Sequence, residues 1–221
     1  MKLAIYDFDG TLFQNETLPF ILKYWGKNNY NKGILIKTYC RILGLFLAYK
    51  VSQSMDREIF RAKASIIFIK LFENMTKEEL IHFFSICSSS VQDHFNLQIL
   101  QNMKQRKEEG YHIVLCSGAY DLLLEQMRQY VHIDTILGTK LHFTSDNTLD
   151  YKKPLHIVTG KNKSTALLEA FDKDQIDWEN SYAFGDSYYD YDILSLTGNP
   201  IAVTPDEKLK KIALKKNWPI I

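Results

Sequence analysis

Cysteine is scarce in this sequence, and the few cysteines that occur are far apart. The 221 residues contain only Cys40, Cys87 and Cys116, and no two of them form a CxxC motif. An odd number of widely spaced cysteines argues against a disulfide framework and against a cysteine-based zinc site. This usage is typical of a protein that works in a reducing compartment.

The chain also shows no targeting segment and no large excess of charge of one sign. Met1 leads directly into a strand-like run, without the basic and apolar regions of a secretory signal, so we expect a cytoplasmic protein. Lysine and arginine total 27 and aspartate and glutamate 26, which leaves a net charge of +1. This balance gives no sign of a nucleic-acid partner.

Apolar runs of strand length alternate with helical segments along much of the chain. These runs cover residues 3–6, 111–117, 181–186 and 200–204. Their alternation with helices predicts an α/β protein with a Rossmann-like, mostly parallel sheet. The stretch 139–152 alternates around Asp146-Asn147 and predicts a small β-hairpin. A helix is predicted from Ala119 to Val131, and an edge strand at the final WPII.

The region between the first two predicted strands is helical rather than alternating. The helical pattern runs from Thr17 to about Phe95, and Thr76 with Glu79 has the spacing of a capping box. The predicted domains are a core of residues 1–14 and 96–221 and an inserted all-helical cap of residues 15–95.

Polar residues that suit phosphoryl chemistry follow three of the predicted strands. They are Asp7 and Asp9 after the first strand, Ser117 and Gly118 after the second, and Asp186 after the third. Ligands bind beyond the carboxyl ends of strands in open parallel sheets, so we expect these residues to meet at one edge. Crowded carboxylates repel one another unless a cation neutralises them, and oxygen-only ligands favour Mg²⁺. A carboxylate can attack phosphorus. A second carboxylate can protonate the leaving oxygen and then activate water.

Four segments resemble the signature motifs of one enzyme superfamily, in the same order. They are YDFDGT, LCSGAY, the lysine context GKNKSTALL and FGDSYYD. By these motifs the chain is identified as a member of the phosphatase branch of the haloacid dehalogenase (HAD) superfamily. The resemblance implies a phosphoric monoester hydrolase that uses Mg²⁺ and an aspartyl-phosphate intermediate on a small-molecule phosphate monoester.

The resemblance also implies a role for each residue of the first two motifs. Asp7 would be the nucleophile and a metal ligand. Asp9 would be the general acid/base, and its backbone carbonyl would also contact the metal. Ser117 and the Gly118 backbone would hold phosphate oxygens, and Thr11 would support the first motif.

The third and fourth motifs imply the remaining members of the site. Lys163, which the G-x-x-K-x-x-x-L pattern selects, would balance charge at the phosphoryl group. Asp186 would bind Mg²⁺, and Asp190 would support either Lys163 or a metal-bound water. A surface lysine and a helix N-cap are the alternatives for Lys163 and Asp190.

The position of the insert narrows the resemblance without fixing the substrate. A helical cap between the first two motifs resembles subfamily IB, and DFDGTLFQNET resembles the start of phosphoserine phosphatases. Glu16, nine residues after the nucleophile, would then contact the substrate, with Arg61 or Lys63 in place of the cap arginine. A phosphoserine-like substrate is favoured, although the ending NWPII resembles hydrolases of mixed or unknown substrate.

Several alternatives stay open beside a phosphoserine-like substrate. Histidinol phosphate and a lipid phosphate also suit this chemistry. A phosphotransferase would use the same core but transfer the phosphoryl group to a second alcohol. A non-catalytic module that binds a phosphorylated ligand is the alternative outside enzyme function.

One stretch of the insert, GILIKTYCRILGLFLAYK at residues 33–50, combines apolar and basic residues. Between Thr17 and Met55 the chain contains six basic residues and no aspartate or glutamate. The simpler prediction is a cap helix buried against its neighbours. The alternative is an apolar, basic surface that makes weak contact with an anionic membrane or admits a lipid phosphate. The stretch is too short and too charged to span a bilayer.

Overall fold

A parallel five-stranded sheet forms the centre of the protein. The computed structural model describes residues 1–28, 30–51, 55 and 57–221. The strands are β1 Leu3–Tyr6, β2 His112–Tyr120, β3 Thr135–Thr139, β4 Tyr182–Gly185 and β5 Asn199–Ala202. Their order is β3-β2-β1-β4-β5, and each neighbouring pair is parallel. The predicted Rossmann-like α/β fold is therefore confirmed.

Strand β1 is buried on both of its faces. Ala4 and Tyr6 pack in one hydrophobic cluster, and Leu3 and Ile5 pack in a second cluster on the other face of the sheet. Successive residues of a strand point to opposite faces, so a central strand covered on both sides must be apolar throughout. The sequence LAIY meets this requirement and delivers the following residue, Asp7, to the edge of the sheet.

After β1 the chain leaves the sheet, and the described residues of the predicted cap form a series of helices. These are α1 Thr17–Lys27, α2 Lys32–Val51, α3 Arg57–Ile69 and α4 Lys77–Gln92, with a 3₁₀ turn at Lys70–Phe72. Thr76 and Glu79 form the predicted capping box at the start of α4. Residues 29, 52–54 and 56 of the stretch predicted as helical lie outside the described residues.

Cap and core share one hydrophobic cluster. Trp25 and Phe72 of the cap belong to the same cluster as Tyr6 of β1 and Tyr120 of β2. The ring centroids of Phe72 and Tyr120 lie 6.3 Å apart. The predicted domain limits at residues 15 and 95 therefore stay a prediction, because the packing is continuous across them.

Helix α2 is exposed along most of its length, which contradicts the simpler prediction that it is buried in the cap. Thr38 is the buried residue of this helix. Helix α2 packs mainly against α3, so one side of it is covered and the rest faces solvent. An apolar sequence predicts burial, but it does not indicate how many sides of the helix are covered by other elements.

The remaining helices flank the sheet. They are α5 Leu97–Glu108, α6 Asp121–Gln126, α7 Lys161–Ala170, α8 Tyr191–Leu194 and α9 Glu207–Lys216, with 3₁₀ turns at Met127–Gln129, Lys173–Gln175 and Tyr188–Asp190. Strand β2 continues through Tyr120, so α6 begins two residues later than predicted. Strand β3 is not among the strands predicted from the sequence. Its segment TILGT contains a glycine, and the strand is only half-buried at the edge of the sheet.

The predicted hairpin is reduced to a tight turn. Phe143 and Leu149 form a single antiparallel bridge, and Asn147 has a φ of 60°. The backbone carbonyl of Asn147 accepts a hydrogen bond of 3.0 Å from Lys77, at the start of α4. Its side chain donates to Glu78 at 2.7 Å. Part of the turn's hydrogen bonding therefore goes to the cap rather than to a second strand. At the C-terminus, the predicted edge strand is likewise one bridge, between Ala202 and Ile220.

Candidate active site

The predicted strand-end residues meet at one edge of the sheet. β1 lies between β2 and β4, so the strand order reverses at β1 and leaves a crevice beyond the carboxyl ends. Asp7, Asp9, Ser117, Gly118 and Lys163 all line one cavity of about 470 Å³ in this crevice. The sheet topology therefore brings together residues that are up to 156 positions apart in the sequence.

Lys163 is buried and bridges two carboxylates. Its Nζ donates to Asp7 Oδ1 and to Asp190 Oδ1, each at 2.5 Å. Burial alone would lower the pKa of Lys163, but the Asp190 and Asp7 carboxylates outweigh burial and raise it. The ammonium therefore stays charged in the floor of the cavity. This geometry excludes the alternative of a surface lysine.

Asp190 is held in place by the turn that precedes it. The N–H and the hydroxyl of Ser187 both donate to Asp190 Oδ2 at 3.1 Å, which leaves Oδ1 for Lys163. Its side chain is fully buried. This arrangement matches the predicted support of Lys163. It also explains the glycine at position 185 of the motif, because a Cβ at Gly185 would lie 2.5 Å from Asp190 Cβ.

Three carboxylates at this edge form a cluster that suits a divalent cation. Asp7, Asp186 and Asp190 each offer an oxygen, and these oxygens lie within 4.8 Å of one another. Burial, followed by the charges of Asp7 and Asp190, raises the pKa of Asp186. Burial also raises the pKa of Asp7, against the opposing effect of Lys163. A set of oxygen ligands with this excess of negative charge suits Mg²⁺.

The cluster differs in one member from the predicted metal ligands Asp7, Asp9 and Asp186. Among the described residues it includes Asp190 and not the Asp9 carboxylate, which is engaged elsewhere. The predicted contribution of Asp9 through its backbone carbonyl stays a prediction. Gly10 permits the approach of Asp186, because a Cβ at Gly10 would lie 2.5 Å from Asp186 Cγ.

Asp9 is oriented by the first residue of α1. Thr17 Oγ1 donates a short hydrogen bond to Asp9 Oδ1. Burial, followed by the nearby Glu16 carboxylate, raises the pKa of Asp9 to about 7. A carboxyl group with a pKa near neutrality can both give and accept a proton, as a general acid/base must. The α1 N-terminus therefore fixes the residue predicted to move the proton.

The second motif presents a hydroxyl and a backbone segment to the cavity. Ser117 Oγ accepts a hydrogen bond of 3.2 Å from the Ala119 N–H, and Thr139 donates to the Gly118 carbonyl at 2.8 Å. Ser117 therefore stabilises the end of β2, where the register with β3 shifts, whereas α6 begins only at Asp121. Thr11 is fully buried, and its hydroxyl has no hydrogen-bond partner among the described residues.

The cap contributes an ion pair to the cavity. Arg61 Nη2, on α3, donates to Glu16 Oε1 at 2.6 Å, and both residues line the cavity. The guanidinium also lies 5.8 Å from the ring centroid of Tyr189, which follows β4. Lys63, the other candidate, is exposed. Residues two apart on a helix do not share a face, so Arg61 is the cap cation that reaches the site.

Apolar side chains form much of the remaining wall of the cavity. They are Leu18, Leu22, Ile42, Phe60, Ala64 and Ile157. The cavity is thus charged at its floor, where Asp7 and Lys163 meet, and largely apolar beneath the cap. The charged floor therefore suits a phosphoryl group, and the apolar wall suits the organic group that carries it.

Sequence reasoning assigns no role in the site to Thr17, Ser187 or Tyr189. Ser187 and Tyr189 lie inside the motif FGDSYYD, so their proximity to Asp186 and Asp190 was a usable signal. Thr17 follows Glu16 directly, but its contact with Asp9 depends on how α1 turns back over the first motif.

Comparison with known proteins defines the class of this site. The family described as haloacid dehalogenase-like hydrolase matches residues 4–195, so the chain belongs to this family. A histidinol-phosphatase of Neisseria meningitidis is 25% identical over 226 residues, which cover 100% of this chain and 98% of the relative. An "Inhibition of morphological differentiation protein" of Streptomyces azureus is 25% identical over 119 residues, and the match spans 54% of this chain and 43% of the relative.

Solved structures share the fold at lower sequence identity. A Bordetella pertussis protein of unknown function superimposes with a TM-score of 0.83 at 16% identity, covering 100% of this chain and 97% of the other. A phosphoserine phosphatase with a phospho-aspartyl intermediate analogue gives a TM-score of 0.60 at 19% identity, with 99% and 91% covered. The predicted HAD fold is confirmed, and the family match identifies the chain as a haloacid dehalogenase-like hydrolase.

Proposed function

We propose that the protein is a Mg²⁺-dependent phosphomonoester hydrolase that acts through an aspartyl-phosphate on Asp7. The observation that carries the proposal is the position of Asp7 on the cavity floor, 2.5 Å from the Lys163 ammonium and within the acidic cluster. Asp7 and Asp186, together with the backbone carbonyl of Asp9, would hold the metal beside Asp190, and the metal would supply positive charge to the phosphoryl oxygens. We place the protein in the helical-cap subgroup, subfamily IB, and in the cytoplasm.

The protein side chains divide the reaction into two displacements. Asp7 attacks phosphorus while Asp9 gives its proton to the leaving alcohol. Asp9 then takes a proton from water, which attacks phosphorus and releases Asp7 and phosphate. Lys163, the Ser117 hydroxyl and the Gly118 backbone balance charge on the phosphoryl oxygens in both steps. The cap limits the access of bulk water to the intermediate.

The favoured substrate is a small phosphorylated amino alcohol of the phosphoserine type. Glu16 and Arg61 place one negative and one positive group beneath the cap, where they could bind the ammonium and carboxylate of such a substrate. Histidinol phosphate is the alternative that the Neisseria relative supports. A lipid phosphate is a second candidate, because apolar side chains form much of the cavity wall beneath the cap.

A screen of phosphorylated compounds with Mg²⁺ tests this function. It includes phosphoserine, histidinol phosphate and phosphatidic acid, with Asp7→Asn as the blank and Asp174→Asn, an exposed aspartate, as the matched control. We expect Asp7→Asn to abolish phosphate release, Asp174→Asn to retain it, and chelation of Mg²⁺ to stop it reversibly. Transfer to an added alcohol in preference to water would favour a phosphotransferase. Ligand binding without turnover would favour a non-catalytic module.

A further inference from the structure

The outer face of α2 exposes large apolar side chains where a surface helix normally carries polar ones. Ile36, Leu43 and Leu47 are 61%, 58% and 57% exposed. Their spacing of seven and four residues places them on one side of the helix. Thr38 and Ile42, which are covered by the protein, lie on the opposite side. We call Ile36, Leu43 and Leu47 the outer face of α2.

Basic side chains flank the outer face of α2. Lys32 and Lys50 lie near the two ends of the helix, on the same side as the outer face, and Lys37 lies about 100° round the helix from Ile36. Arg41 lies one turn beyond Lys37 and further round towards Thr38; all four side chains are exposed. No aspartate or glutamate occurs in the sequence from Thr17 to Met55. The stretch therefore supplies positive charge and no negative charge of its own, which makes its surface complementary to an anionic partner.

The same helix also forms part of the cavity wall. Tyr39 and Ile42 of α2 line the cavity, next to Phe60 and Arg61 of α3. A partner that covers the outer face of α2 would therefore lie close to the cap side of the candidate active site. Among the described residues, no helix is long and apolar enough to cross a membrane, so any lipid contact would be peripheral.

We propose that the outer face of α2 docks the protein on the surface of an anionic lipid bilayer. Ile36, Leu43 and Leu47 insert among the headgroups, and Lys32, Lys37 and Lys50 contact lipid phosphates. A second copy of the chain fits less well, because a symmetric contact would bring the same basic residues face to face. Docking goes beyond the proposed hydrolysis and does not depend on it.

Vesicle co-sedimentation tests the docking directly. The intact protein is mixed with vesicles of phosphatidylcholine alone or with phosphatidylglycerol added, at low and high salt. We expect binding to the anionic vesicles only, weakened by salt because exposed charges are screened. The Leu43→Glu/Leu47→Glu variant should bind roughly tenfold more weakly or worse, because it places charge in the inserted face. Leu97→Glu, a change at an exposed leucine on α5, should bind as the wild type does.

Two controls separate docking from folding and from catalysis. Turnover of soluble p-nitrophenyl phosphate by Leu43→Glu/Leu47→Glu should match the wild type, since neither residue lines the cavity. Asp7→Asn should bind vesicles normally even though it has no turnover. The proposal is overturned if the wild type does not bind anionic vesicles, or if Leu43→Glu/Leu47→Glu binds them equally well. A dimer that this variant dissociates, without vesicle binding, would identify a second copy as the occupant instead.

Discussion

The Lys163 ammonium lies 2.5 Å from the Asp7 carboxylate, at the bottom of a cavity that the cap covers. Both side chains are more than 90% buried, so neither charge can be satisfied by bulk water. Lys163 comes from the first turn of α7 and Asp7 from the end of β1. Their contact therefore joins α7 to the end of β1 at the site.

Removal of the Lys163 charge should destabilise the protein. Lys163→Met leaves Asp7 and Asp190 buried without their counter-ion, and breaking a buried ion pair costs about 3–5 kcal/mol. We expect this loss in the free energy of unfolding measured with urea, and a smaller loss when Mg²⁺ is present. Lys161→Met, at an exposed position two residues away, is the control. A loss for Lys163→Met as small as that of the control would contradict this account of the ion pair.

Thr17 should act as a positioning residue for Asp9. Thr17→Val removes the hydroxyl that donates to Asp9 Oδ1, and a hydrogen bond to a charged group contributes about 1.5–3 kcal/mol. We expect kcat to fall about tenfold or more with little change in KM, and Thr17→Ser to restore it. Thr197→Val, which removes a buried hydroxyl far from the site, should have normal kcat. An unchanged kcat for Thr17→Val would show that Asp9 needs no such support.

Arg61 should determine affinity for substrates that carry a carboxylate. Arg61→Met removes the cap cation beside Glu16, so KM for phosphoserine should rise at least about tenfold, in line with the loss of a charged hydrogen bond. Turnover of p-nitrophenyl phosphate should change little, because that substrate has no carboxylate. Lys63→Met is the matched control on the exposed side of α3. Equal effects of Arg61→Met on both substrates would argue against a phosphoserine-type substrate.

Asp134 should make stability depend on pH. Burial alone would raise the pKa of Asp134, but hydrogen bonds from Lys107, the Ile113 N–H and His132 outweigh burial and lower it. A lowered pKa in the folded state stabilises the fold above the unfolded value of about 3.9, and this stabilisation is lost as pH falls further. Asp134→Asn should therefore be less stable than the wild type at pH 7.

Urea unfolding at a series of pH values measures this dependence. The difference between the wild type and Asp134→Asn should shrink as pH falls below about 4, because the Asp134 carboxyl of the unfolded state is protonated there before that of the folded state. Asp146→Asn, at an exposed turn, should show no comparable difference at either end of the range. A difference for Asp134→Asn that does not change with pH would contradict the assigned cause.

The core of the site could be predicted because its chemistry is encoded locally. The first, second and fourth motifs place their residues within a few positions of a strand end, and parallel strands bring those ends together whatever the rest of the chain does. Asp7, Ser117 and Asp186 therefore meet at one edge of the sheet, and Lys163 reaches the same edge from the first turn of α7. The apolar run before Asp7 is also sufficient to predict a strand that is buried on both faces.

The parts that could not be predicted depend on tertiary packing. The apolar composition of α2 predicts burial, yet burial requires neighbours on every side, and α3 covers only one. Strand β3 has a weak local signal and forms because β2 offers it a partner. The choice between Arg61 and Lys63 depends on which face of α3 turns towards the cavity, and sequence alone does not set that orientation.

Identification of the residue that carries the phosphoryl group is the most direct test of the proposed chemistry. The enzyme is mixed with a turned-over substrate and Mg²⁺, quenched in acid, digested and analysed by mass spectrometry. We predict a phosphoryl group on Asp7, greater accumulation in Asp9→Asn because hydrolysis of the intermediate is slowed, and none in Asp7→Asn. Turnover by Asp7→Asn at the wild-type rate, or a phosphoryl group on a different residue, would contradict the account.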